Sequence, residues 1–396
     1  MVAVQLRKFS LCCFFLFLFS AGFLSTATAQ IGNGLGTGKY GTFNTYSAFA
    51  MEQGFLSMSN QGRLFVTAGQ SGVGTIKNIN LTHASNNFTF VYGFLENFDA
   101  LISIGTYQDL NIRSVRNKLS TTPGDLYITV RGGSFEVLDG KIDLGGALSS
   151  RIPTGGQNNI PFEVYKSRKV ELGLLGLASI YGNPYYKDQS YIVNVNLGLW
   201  YHNDNGTNVS PVKVNSNSFE SDKNSTALQY GLGFLYPINK VQLTVDAYGL
   251  AYVVKPVSYA YSRESFMYVT PGIRYNLRSW INFGTYVDIL MAGKSDKTKY
   301  VNPYVMKPGE TSDSPKGAPN YNTWRFGFNL GFNILPMGFS SAPTEQRRKK
   351  LLDRLVEEER GAQKASNQLE KLKTVRINAE KELEKIKLEL EGEGGQ

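Results

Sequence analysis

The sequence predicts an all-β fold, a closed antiparallel transmembrane β-barrel of about 12 strands, followed by a long C-terminal α-helix or coiled coil. Three observations carry this expectation: strict two-residue alternation, a sorting of connections into short and long, and a sharp change of composition over the last 60 or so residues. Apolar residues at every second position mark a strand with one greasy face. Trp324–Pro336 reads WRFGFNLGFNILP, in which Trp324, Phe326, Phe328, Leu330 and Phe332 alternate with Arg325, Gly327, Asn329, Gly331 and Asn333. Tyr191, Val193, Val195, Leu197, Leu199 and Tyr201 alternate with Asn194, Asn196 and Gly198. Leu228 to Tyr236 and Val241 to Ala247 repeat the pattern, and Ile281 to Ile289 alternates with Asn282, Gly284, Tyr286 and Asp288.

Twelve such runs are expected, at about 57–70, 76–94, 98–109, 124–136, 139–152, 169–181, 189–203, 226–237, 240–253, 265–277, 279–292 and 321–335. Short links (ENFD, LDGK, NPYYKDQ, INK, LRS) and long links (110–123, 153–168, 204–225, 254–264, 293–320) alternate from the second run onward. The first link, around SGVGT at 71–75, is short but falls in a long-side position. Such sorting suits a membrane barrel, with turns on one side and loops on the other, and an even strand count puts both ends on the turn side. A sandwich has no reason to sort its loops. Each run is long enough for a tilted strand to cross the hydrocarbon, and closure pairs every backbone group that lipid would leave unsatisfied. The greasy face is therefore read as lipid-facing and the glycine- and asparagine-rich face as lumenal.

The flanks follow from composition. MVAVQLRKFSLCCFFLFLFSAGFLSTATAQ has a basic start at Arg7 and Lys8, an apolar run from Phe9, and small residues leading to Ala27-Thr28-Ala29. This is the pattern of a secretory signal peptide over 1–29. Its removal would take Cys12 and Cys13, the chain's two cysteines, so no disulfide framework is expected. They also sit too early for lipid attachment. Residues 30–53, with IGNGLGTGKYG at 31–41, are expected as a flexible mature N-terminus resting in the barrel mouth. The barrel is expected over 54–336, and 337–396 as a linker and periplasmic helical tail. The +9 formal charge falls to +7 without Arg7 and Lys8 and is not clustered, so no nucleic-acid partner is expected.

Glu345 to Glu391 has no proline, one glycine (Gly361), and dense Glu, Lys, Arg and Leu, with Thr344 as a plausible N-cap. Leu352, Leu355, Leu369, Leu372, Leu383, Ile386 and Leu390 mark a narrow stripe, spaced as in a coiled-coil seam with a stutter. The expectation is self-association or docking on a periplasmic protein, against the alternative of a solitary helix with i,i+4 ion pairs.

Arg325-x-Gly327-x-x-Leu330-x-Phe332 resembles the terminal-strand signal of outer-membrane β-barrels, read as polar-x-Gly-x-x-apolar-x-aromatic. That resemblance to porin-like outer-membrane barrels implies recognition by the barrel-assembly machinery, residence in outer-membrane lipid, and termini in the periplasm. The chain departs from the pattern by continuing past the signal.

Chemistry is sparse. The two histidines, His83 and His202, fall on strand runs, and His83 with Ser85 or Asn86 is a thin esterase candidate beside the simpler reading of a rim histidine. No metal-ligand spacing, phosphate loop or triad is evident, so neither enzyme nor cofactor is expected. The lumenal charges are more informative. Arg131 and Asp143 fall on neighbouring strands, and Asp246, Arg274, Asp288 and Arg325 on four consecutive ones, with alternating sign. They are expected either to brace and partly plug a narrow barrel or to form a selective constriction. A one-residue slip would place them in lipid. The functional expectation is a passive channel for small solutes, a structural link to the periplasm, or both. The alternatives are a carrier for hydrophobic compounds, using Pro271, Phe266, Tyr268 and Leu250, and an adhesin displaying the long loops.

Overall fold

The computed structural model describes residues 37–71, 77–112, 118–121, 124–155, 163–209, 220–278, 280–293, 321–335 and 342–393. The stretch expected as a signal peptide and parts of the longest loops lie outside these residues. Thirteen strands run β1 (Leu56–Ser71), β2 (Lys77–Leu95), β3 (Phe98–Ile112), β4 (Lys118–Thr121), β5 (Leu126–Val137), β6 (Ile142–Ile152), β7 (Glu171–Tyr181), β8 (Ile192–Tyr201), β9 (Thr226–Ile238), β10 (Val241–Val254), β11 (Phe266–Arg278), β12 (Ile281–Ala292) and β13 (Trp324–Leu335).

Twelve of them close a barrel. Each pairs antiparallel with its sequence neighbours, and β1 pairs with both β2 and β13, as in Gly62↔Phe328, which seals the ring. The short β4 extends the β3 end, Gln108 facing Thr121, and takes no part in closure. It lies inside the expected 110–123 link, where four residues give too little periodicity to read. The hairpins β2–β3 and β9–β10 turn through two residues, and Asn239 adopts a left-handed φ of 54° suited to such a turn.

The wall is two-faced. On β7, Glu171, Gly173, Leu175, Leu177, Ser179 and Tyr181 are buried inward while Leu172, Leu174 and Ile180 stand outside. On β12, Asn282, Gly284, Tyr286 and Asp288 are inward and Phe283 and Ile289 outward. Outward aromatics collect near the short turns: Phe94, Phe98, Phe135, Tyr191, Tyr236, Tyr275 and Trp280. An apolar band with an aromatic rim is what a lipid bilayer requires of a barrel.

The second compact unit is the helix α1 (Ala342–Glu393). Pro343 occupies its first turn, where a missing N–H costs nothing. Its described side chains are exposed, and Arg376 pairs with Glu380 one turn on at 2.8 Å. Leu369, Leu372, Leu383 and Ile386 are exposed, while Leu352, Leu355 and Leu390 lie on the helix with side chains outside the described set.

Candidate functional site in the barrel lumen

The lumen is partly filled by the chain itself. Residues 37–52, part of the segment expected to be flexible, thread into it, and Thr42, Thr45, Ser47, Ala48 and Ala50 have no exposed surface. The correction has a physical reason. A chain without secondary structure must still satisfy its backbone, and the wall supplies the partners from side chains. Asn196 brackets Tyr46, accepting from its N–H and donating to its carbonyl, both at 2.8 Å. Asn194 donates to the Tyr40 carbonyl at 2.8 Å, and Ser179 accepts from the Ala48 N–H at 2.8 Å. Asp99 accepts from the Met51 N–H at 2.6 Å, and Gln61 donates to the Phe43 carbonyl at 3.3 Å. The polar residues of the lumenal face thus act as a surrogate sheet for the plug.

The glycines of that face make the room. A Cβ on Gly272 would lie 2.5 Å from the Phe43 ring and one on Gly284 2.7 Å from it. One on Gly233 would lie 2.6 Å from the Thr42 hydroxyl. Phe43 stacks on Tyr286, with centroids 4.5 Å apart. In β5 the ladder breaks between Gly132 and Phe135, and Ser134 takes a left-handed φ of 59°. This bulge turns the Ser134 N–H onto the Ala48 carbonyl at 2.7 Å, and a Cβ on Gly133 would collide with that same carbonyl.

All six lumenal charges expected from the sequence are buried inward, but only one pair meets. Asp288 and Arg325 face each other across β12 and β13 and bond at 2.8 Å. Arg131 does not pair with Asp143. It forks onto Asp99 of β3, at 2.5 Å from Nη2, and donates to the plug carbonyls of Thr37 and Ser47. Asp143 instead accepts from Lys187 and from the Tyr181 hydroxyl. Asp246 accepts from the hydroxyls of Thr42 and Thr45. Arg274 donates to Gln242 and to the Gly41 carbonyl, both at 2.9 Å. Sequence alternation places side chains on a face but does not show that a chain segment will compete for them. Asp99 was legible, since it alternates with Leu101 and Ser103 and falls directly opposite Arg131. The Lys187 partner lies in a turn and carried no signal.

A second inward structure stands at the long-loop end. Glu163 meets His83 Nε2 at 2.7 Å, and Tyr165 donates to Asp204 at 2.7 Å. Arg151 binds both the Ser167 carbonyl and Glu171, whose other oxygen accepts from Trp200 Nε1 at 2.7 Å. His202 lies 3.2 Å from Glu171. Burial by itself would push the Glu163 carboxyl up, but the His83 bond and the Lys166 charge outweigh it and hold the group well below the usual carboxylate range. Both histidines therefore anchor this inward segment. The esterase arrangement of His83 with Ser85 or Asn86 is not formed by these bonds: His83 Nδ1 faces Asn322 at 3.2 Å.

Between plug and inward segment lie two adjoining cavities. One of about 390 Å³ is lined from the plug by Asn44 and Tyr46, from the inward segment by Glu163 and Lys166, and from the wall by residues including Arg63, Tyr127 and Arg325. The other, of about 230 Å³, is lined by Tyr165, Tyr230, His202 and Phe266 among others. Phe266, Leu250 and Tyr268 form one buried cluster with Tyr165, Tyr252 and Tyr321. Pro271 faces outward, opposite Val245.

On β13, Arg325 and Gly327 point inward while Leu330 and Phe332 are partly exposed. Gly327 is obligatory in this packing, since a Cβ there would enter the Tyr286 ring.

No family model matches the chain, and no curated protein matches it. Among solved structures it is similar to an outer membrane channel from Pseudomonas putida F1, at 10% identity over 72% of this chain and 98% of that one, with a TM-score of 0.46. It is also similar to the translocator domain of the autotransporter NalP from Neisseria meningitidis, at 9% identity over 71% and 89%, with a TM-score of 0.38. A third is the outer membrane channel DcaP of Acinetobacter baumannii, at 8% identity over 72% and 100%, with a TM-score of 0.29. These values are low, and the barrel stands on its own ladder of strand pairs.

Proposed function

We propose that the protein is an outer-membrane channel for small solutes whose lumen is closed at rest by its own N-terminal segment. The observation that carries this reading is the plug, whose buried backbone is bonded by wall side chains from six strands, β1, β3, β5, β7, β8 and β11. A barrel serving only as an anchor needs no such socket, since its lumen can be packed by wall side chains alone. The bonds to the plug are polar and individually modest, about 0.5–1.5 kcal/mol each net, so a partner or solute acting on the segment can release it.

In this reading the short turns and both termini face the periplasm. The last strand is read by the barrel-assembly machinery through Arg325, Gly327, Leu330 and Phe332. The helix links the barrel to a second copy or a periplasmic protein through its Leu369–Ile386 stripe. A hydrophobic carrier is the second reading, favoured by the aromatic lining of the 230 Å³ cavity.

The test is single-channel conductance in planar bilayers of the refolded chain and of a variant lacking residues 37–51, with heat-modifiable gel migration as the folding check. The full chain is expected to be closed or to open briefly, and the variant to conduct steadily. Equal conductance from the two would remove the plug as a gate. A folded, silent variant would favour the carrier.

A further inference from the structure

We propose that the 390 Å³ chamber binds an uncharged, hydroxyl-rich solute of disaccharide size or smaller, an inference that rests on reading the barrel as a channel. The first support is charge. Arg63, Lys166 and Arg325 line the chamber or its wall together with Asp125 and Glu163, and Asp288 lies directly behind them. Three cations thus face three carboxylates. Each is within 4 Å of an opposite charge: Arg325 and Arg63 with Asp288 at 2.8 and 3.5 Å, and Lys166 with Asp125 and Glu163, both at 3.9 Å. An ion entering this chamber would shed water and find no uncompensated partner, so its desolvation would go unreturned.

The second support is the lining itself. Twelve of its residues carry aliphatic hydroxyls or amides, against four aliphatic hydrocarbon side chains. Most of the polar set comes from one arc, where β1 to β6 present Ser59, Ser85, Asn87, Thr89, Ser103 and Ser149 inward. Neutral hydroxyls both donate and accept, which matches a solute whose groups do the same. A lipophilic solute would strip water from these groups without replacing it, at a cost of about 1–3 kcal/mol for each group left unpaired.

The third support is aromatic. Trp200, Tyr127 and Tyr248 also line the chamber. The Trp200 indole N–H is held by Glu171, which leaves its ring as a flat apolar platform for the C–H face of a sugar ring. The volume falls in the range of small-molecule sites, roughly 300–1,000 Å³.

Trp200 provides the test. The chain has three tryptophans, and Trp280 and Trp324 stand on the outer wall at 42% and 43% exposure. With Trp280→Phe and Trp324→Phe, Trp200 becomes the single reporter. Its emission would be titrated with sucrose, sodium sulfate and decanoate in phosphatidylcholine vesicles, because sugar-headed detergents would compete. Both the full chain and the variant lacking 37–51 would be used, so that access is not limiting. The expected result is a saturable response to sucrose, weaker responses to the other two, and about a ten-fold loss of sucrose affinity in Ser85→Ala/Asn87→Ala/Ser149→Ala, equivalent to ~1.4 kcal/mol. A silent Trp200 in both chains, or a stronger response to sulfate or decanoate, would overturn the proposal. If the plug-deleted barrel conducts while Trp200 ignores sucrose, the channel reading survives and this inference fails. If Trp200 responds while neither chain conducts, the reverse holds.

Discussion

The two halves of the lumen are filled by different means. At the short-turn half, wall side chains bond the backbone of a passing segment, as Asn196 does Tyr46. At the long-loop half, buried charged side chains do the holding, as Glu163 does with His83 and as Arg151 does with Glu171 and the Ser167 carbonyl. Backbone bonds of the first kind can break one at a time, and only a few plug side chains, such as Thr42 and Thr45 on Asp246, add to them. Charge-assisted bonds of the second kind demand particular partners, and losing one strands the other in a buried site. In the proposed gated reading, a plug that leaves and a loop that stays need different chemistry.

One charged pair serves the plug half and makes the largest prediction. Arg131 serves the plug but is itself held by a fully buried carboxylate, Asp99. Arg131→Met leaves Asp99 unpaired and is expected to cost roughly 3–5 kcal/mol. The readout is the heat-modifiable transition moving to lower temperature, and Asp99→Asn on top should recover most of it. An unchanged transition in the single variant would show that the pair adds nothing.

Gly133→Val should sharpen the comparison. Its side chain collides with the Ala48 carbonyl, so the plug has to leave while the barrel ladder, already interrupted there by the bulge, stays paired. Conductance near that of the 37–51 deletion with normal gel migration is the expected outcome; a misfolded barrel would mean the bulge belongs to the wall and not to the plug.

Asn196→Ala should be milder. It removes two bonds to Tyr46 and is expected to cost about 1–3 kcal/mol, read as more frequent brief openings in the bilayer with no change in open-state conductance. Openings of the wild-type frequency would assign the hold to other wall residues.

The smallest effect belongs to acid and to the other half. The folded Glu163 carboxyl titrates below its unfolded value, so the stability it contributes is present above the ordinary glutamate range and fades as pH falls through the folded value. Hydrogen exchange of residues 163–170, corrected for intrinsic rate, should lose protection at pH 3 relative to pH 7, while residues 42–50 change less. Equal loss in both segments would erase the proposed distinction.

Much of the wall was legible because a strand's two faces are written into alternate residues. Phe283, Ile289 and Asp288 went where period two sends them, and the cost of an arginine in lipid, about 2–4 kcal/mol at the midplane, makes the register hard to mistake. The twelve closing strands and the exposed helix followed from the same local rules of alternation, loop length and helix-forming composition. What the polar face was for did not follow. Its glycines and asparagines fit a water-filled pore and a plugged one equally well in sequence, because both ask only for small or polar groups. The plug itself has no periodicity, since its bonds to the wall go to residues 18 to 244 positions away. Arg131 donating to the Thr37 and Ser47 carbonyls, and Asn194 and Asn196 turning to a passing backbone, are decisions made across the lumen. Only closure of the barrel brings those partners within hydrogen-bonding distance.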